Sequence, residues 1–148
     1  MSVRRPRIRG LVPVLAAGAL AAGCGGSGGT GSASSSVPSD TVGVKATEMK
    51  FGLTTDTAPA GKVTFNVRNA GAVEHEMVVV RTDTPAGDLP EIAGKRDETG
   101  AIGAIGAKQL QPGASASLTR TMTAGHYALV CALPGHYEAG MYSDFTVG

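Results

Sequence analysis

Cys131, His136 and Met141 place a thiol, an imidazole and a thioether on one short stretch near the C-terminus, with four residues between each neighbouring pair. Pro134-Gly135 and Ala139-Gly140 lie between them, and residues of these types favour chain reversal. A strand end followed by two turns can therefore offer all three side chains to one point. Thiolate and thioether are soft donors, and with imidazole they suit copper. Two imidazoles and a thiolate, with a weak axial thioether, form the donor set of a one-electron copper centre. That set needs a second histidine, and His75 supplies it from N-A-G-A-V-E-H-E-M-V-V-V.

Each residue alone carries a weaker signal. A lone cysteine is most often a small buried hydrophobe, Met141 alone reads as core filler, and His75 alone reads as a histidine at a strand edge. Met49, Met77 and Met122 lie in strand-like runs and read as packing residues. His126, after T-A-G, reads as a surface residue. Glu74, Glu76 and Glu138 read as solvated acids around the site. A nucleophile–base pair of Cys131 and His136 is the enzymatic alternative. No patterned third residue would orient it, and Met141 would have no role. The joint pattern favours a metal.

The elements that must position these residues read as strands. Lys62–Asn69 alternates Val63, Phe65 and Val67 with Lys62, Thr64, Asn66 and Arg68, the pattern of a half-buried strand. Val42–Phe51 reads as a first strand, and M-V-V-V-R after His75 as a strand covered on both faces. Ala114–Met122 alternates again, His126–Leu133 puts Tyr127, Leu129 and Cys131 on one face, and Tyr142–Val147 closes the chain with Phe145 and Val147 inward. Thr82–Leu110, broken by Pro85, Gly87, Pro90, Gly94, Gly100, Gly103 and Gly106, reads as one long irregular connection. A helical turn near Leu89–Ala93 is compatible with it, and Ile102, Ile105 and Leu110 have the character to pack on a sheet face or edge. Six or seven strands with turn-punctuated spacing predict an all-β sandwich over residues 41–148.

The first 40 residues are of another kind. Arg4, Arg5, Arg7 and Arg9 precede an apolar run, Leu11–Ala22, which is the pattern of a secretory signal over 1–23. Cys24 follows A-A-G and resembles the lipidated cysteine of a bacterial lipoprotein, although Ala21 stands where leucine is usual. Residues 24–40 then form a Gly/Ser tether, with an r.m.s. reach of about 20–25 Å. The formal charge of +1 conceals an acidic mature chain. Without the four leading arginines, nine of the 13 basic residues remain against 12 acidic ones, a net of about −3. No basic patch or aromatic ladder remains for nucleic acid. With Cys24 lipidated, Cys131 is a lone thiol in an oxidising compartment, where unprotected thiols oxidise. A Cys24–Cys131 disulfide would instead close a loop across the tether.

Residues 42–148 resemble the cupredoxins, the blue copper family that includes azurin, plastocyanin and rusticyanin. C-A-L-P-G-H (Cys131–His136) is similar to the azurin C-x-x-P-G-H loop. The Cys-x₄-His-x₄-Met spacing is closer to rusticyanin and the sulfocyanins than to plastocyanin. The resemblance implies a Greek-key β-sandwich of about seven strands with a single type 1 copper ion at one end. His75, Cys131 and His136 would be equatorial ligands and Met141 the axial one. It also implies a monomeric carrier of single electrons, not an enzyme, docking redox partners near His136, Leu133, Pro134 and Tyr137. Lipidated Cys24 would hold it at the outer face of the bacterial cytoplasmic membrane. Copper buffering or delivery outside the cytoplasm is the alternative with the same ligands. Where the family often has asparagine after the first histidine, this chain has Glu76. The backbone N–H groups of Glu76 and Leu133 are the candidate donors to the thiolate.

Overall fold

The first predicted strand breaks in two: Thr41–Thr47 (β1) turns at Glu48-Met49 and returns as Lys50–Leu53 (β2). Met49, expected inside a strand, sits in that turn with φ of 56°. The computed structural model describes residues 40–92 and 95–148. The expected signal segment, Cys24 and the tether up to residue 39 lie outside the described residues.

Thr57–Ala58 (β3) is a two-residue strand, and Gly61–Asn69 (β4) follows with Val63, Phe65 and Val67 buried, as its alternation predicts. Met77–Arg81 (β5) comes after the His75 loop. Three more strands occupy the stretch expected to be irregular. Glu91–Ile92 (β6) pairs with Lys95–Arg96 (β7), and Ala101–Ile105 (β8) pairs antiparallel with β5. Single 3-10 turns stand at Ala86–Asp88 and Ala107–Gln109, so the helical turn lies just before Leu89. Ser115–Met122 (β9), Gly125–Val130 (β10) and Tyr142–Val147 (β11) complete the chain.

Eleven strands, three of them two residues long, therefore replace the expected seven among the described residues. They form two main sheets in the orders β2-β1-β4-β9 and β3-β11-β10-β5-β8, giving a β-sandwich. The connection reads as irregular because β8 is a glycine-containing edge strand with a weak apolar pattern. A Cβ at Gly103 would lie 2.6 Å from the Arg120 Nε, so the strand must be small where Arg120 crosses to the Ile102 carbonyl.

Between the sheets lie Val42, Val63, Phe65, Val79, Leu110, Tyr127, Leu129 and Phe145. Phe65 and Phe145 meet edge to face with centroids 5.2 Å apart. A second layer covers the outer face of β5 and β10, with Val78, Val80, Ala128 and Val130 under Ala86, Leu89 and Tyr137. This explains why β5 reads as an unbroken apolar run: both of its faces are dry. The two strands carried on this doubly covered ground, β5 and β10, lead directly to His75 and Cys131.

Candidate metal centre

His75 lies at the end of the loop from β4 to β5. Its side chain is fully buried, and its backbone N–H donates to the Leu110 carbonyl at 3.1 Å. Cys131 lies one residue beyond β10 and faces the core with Tyr127 and Leu129, as the alternation predicts. From there the chain folds on itself. The N–H of His136 donates to the Leu133 carbonyl, that of Met141 to His136, and that of Cys131 to Met141, at 3.0–3.1 Å. Three side chains of metal-ligand type are thus joined to one another through their own backbone. Gly135 and Gly140 take φ of 80° and 100°, the left-handed values that both reversals require.

The donor atoms converge. The Nδ1 atoms of His75 and His136 stand 3.3 Å apart, and Cys131 Sγ lies 3.4 Å from His136 Nδ1. All three donors lie within 4.8 Å of one another. Met141 is fully buried in the same core cluster as Cys131, with Leu133 packed at its margin. His136 is half-buried and is the outermost of the four.

Electrostatics suit a neutral imidazole at His75 and a thiolate at Cys131 that needs help to form. Burial first, and the neighbouring His136 second, hold the His75 pKa below the ordinary histidine value. Burial pushes the Cys131 thiol up, opposed by the backbone N–H groups of Glu76 and Leu133. The Glu76 N–H reaches Sγ at 3.5 Å. A thiol pushed upward is a poor nucleophile but a normal metal ligand, because a cation supplies the missing stabilisation of the thiolate.

The residues fit a metal ion by a simple measure. Tetrahedral bonds of about 2.0–2.3 Å hold nitrogen and sulfur donors about 3.3–3.8 Å apart, and His136 Nδ1 stands 3.3 Å from His75 Nδ1 and 3.4 Å from Cys131 Sγ. With soft sulfur, imidazole and no carboxylate among the converging donors, the ion they fit is copper.

Of the surrounding acids, Glu74 and Glu138 are exposed as expected, and Glu76 departs from simple solvation. Glu74 is exposed and accepts from Gln111. Glu76 is half-buried, and desolvation raises its pKa, as does the nearby Glu98. Glu138 pairs with Arg96 at 2.9 Å. His126 is also less free than expected: its ring nitrogens contact the Thr82 carbonyl at 2.7 Å and Asp144 at 2.9 Å. Sequence reasoning missed Arg96 and gave Tyr137 a surface docking role, whereas Tyr137 is buried. The Tyr137 hydroxyl donates to Ala86 and accepts from Leu89, while the Arg96 guanidinium lies 4.3 Å from its ring centroid. They fasten the ligand loop to the β6–β7 hairpin, and no local spacing announces such a contact.

A two-sheet sandwich with this donor set at one end defines a cupredoxin with a type 1 copper site. Residues 29–148 match the sulfocyanin (SoxE) domain, and the chain belongs to that family. It is 33% identical over 106 residues to the copper-resistant cuproprotein CopI of Rubrivivax gelatinosus, covering 70% of this chain and 63% of that protein's length. Among solved structures, it is similar to reduced auracyanin from Roseiflexus castenholzii, at 26% identity and a TM-score of 0.57 over 74% of this chain and 97% of that one. Auracyanin B gives 28% identity and a TM-score of 0.58 over 76% of this chain and 91% of the other.

Proposed function

We propose that this protein carries single electrons outside the cytoplasm, with His75, Cys131, His136 and Met141 as the residues that would hold one copper ion. The observation that supports the reading most is that the donors stand together on two segments whose backbones are already pinned. Copper, when bound, supplies one-electron exchange between its two common oxidation states. The chain supplies the rest. Buried strands hold the donors against rearrangement, the N–H groups of Glu76 and Leu133 support the thiolate, and half-buried His136 offers a path to the surface. Partners dock there against Leu133 and Pro134; Tyr137, expected to share in that patch, is buried beneath Arg96. Four protein donors leave no position for a substrate, so the protein is not an enzyme on this account. It works as a monomer, exported by its N-terminal signal and held at the outer face of the membrane through lipidated Cys24.

A second reading is favoured by the copper-resistance name of the Rubrivivax relative: storage or delivery of copper with the same ligands. Voltammetry separates the two. A carrier gives a reversible one-electron wave at a stable potential and keeps its metal against a moderate Cu(I) chelator. Rapid loss of Cu(I) to the chelator, without a reversible wave, would decide for storage. Incorporation of radiolabelled fatty acid, lost in Cys24→Ser, tests the anchor.

A further inference from the structure

A metal-bound histidine usually has its second nitrogen hydrogen-bonded to an acceptor that fixes the ring. His75 departs from this pattern. With Nδ1 turned to the other donors, its Nε2 is fully buried and has no partner among the described residues. Its orientation therefore depends on where the backbone places residue 75.

Asn69 controls that placement. It is fully buried at the end of β4, six residues before the histidine. Its Nδ2 donates both hydrogens, to the Val73 carbonyl at 2.7 Å and the Leu110 carbonyl at 2.8 Å, and its Oδ1 accepts from the Gly71 N–H at 2.9 Å. The partners fix which atom is nitrogen, because a flipped amide would set oxygen against two carbonyls. Leu110 is also the residue whose carbonyl holds the His75 N–H. One side chain thus fastens the start and middle of the His75 loop to the carbonyl that fastens its end. From the outside, the Glu48 carboxylate accepts the Ala72 N–H and lies against Gly71, where a Cβ would sit 2.7 Å from Oε1.

We propose that Asn69, backed by Glu48, is the positioning residue for His75. The inference rests on His75 being a copper ligand. An aspartate at 69 keeps the shape but has no hydrogen to donate, and it sets negative charge against two carbonyl oxygens.

The test uses the full exported chain loaded with Cu(II), and separately with Co(II), whose visible bands report ligand geometry. Asn69→Asp should weaken Cu(II) binding roughly 10–100-fold in chelator competition, with shifted bands for both metals. Asn66→Asp, on the exposed face of the same strand, should change neither. A role in folding alone would lower the melting temperature and leave affinity and bands at wild-type values, which would overturn the proposal. If Asn69→Asp does not fold, Gly71→Ala reads the same clamp, because its methyl displaces the Glu48 carboxylate. Weakened binding with shifted bands supports the clamp, and unchanged binding and bands overturn it. Wild-type protein that stays colourless with Cu(II) would sink the copper reading itself. A blue wild type with unaltered variants would sink only this inference.

Discussion

The two walls of the metal centre are built in opposite ways. The wall carrying Cys131, His136 and Met141 is stitched by bonds between residues no more than ten apart, and its two glycines supply the reversals. The wall carrying His75 is stitched locally through one side chain, that of Asn69, which bonds Gly71 and Val73. Its backbone is held by Leu110, and the side chain of Asn69 spans 41 residues to reach the same carbonyl. A local wall is written in spacing. A remote wall depends on the sheets being in register before any donor can meet another.

If that contrast is right, damage to the sandwich should separate the walls. Phe65→Ala removes a fully buried ring packed on Phe145 and should destabilise the fold by about 3–5 kcal/mol, measured by urea titration. His75 should lose its place before the Cys131–Met141 loop does. Isotope-labelled NMR that finds the loop disordered first would break the comparison.

Tyr137→Phe acts on the local wall alone. It leaves the Leu89 N–H and the Ala86 carbonyl without their buried partner, at a cost of about 1–3 kcal/mol. Faster amide exchange at residues 133–140, with His75 unaffected, is the expected result. Gly135→Ala meets no atom within 4 Å but must hold φ of 80°. It should cost about 1–2 kcal/mol, and a neutral effect would mean that the reversal is not fixed.

Acid sharpens the contrast more gently. In the metal-free protein, burial depresses the folded-state pKa of His75, so the unfolded chain takes up that proton more readily than the folded one. Stability is then full above the ordinary histidine pKa of about 6.5 and falls as pH drops through and below it. Glu48 and Asp97 are held below the usual carboxylate range by the N–H of Ala72 and by bonds from Thr99. Their contributions are present above that range and are lost in a second, more acidic step. Glu76, whose pKa burial raises, works in the opposite direction as the pH falls, so the test uses Glu76→Gln: urea midpoints of that variant that stay flat between pH 7 and 5 would contradict the His75 assignment.

The same contrast explains what was legible in the sequence. The alternation of β4, the double burial of β5 and the facing of Cys131 with Leu129 follow from side-chain periodicity, and the ligand loop follows from Pro, Gly and spacing. The turn at Met49 breaks a strand without a glycine to mark it. In β8 the small residues that Arg120 requires remove the apolar pattern that identifies a strand. Asn69 and Glu48 carry no local signal, because the Leu110 carbonyl and the Ala72 N–H that complete their clamp meet them only when β1, β4 and the Leu110 loop come together.

The most direct measurement of the central claim is the visible spectrum of the purified protein on adding one equivalent of Cu(II). Convergence of the Cys131 thiolate with two imidazoles predicts an intense blue charge-transfer band, absent in Cys131→Ser and lost with His75→Ala. A colourless copper-loaded protein, or a band that survives Cys131→Ser, would contradict it.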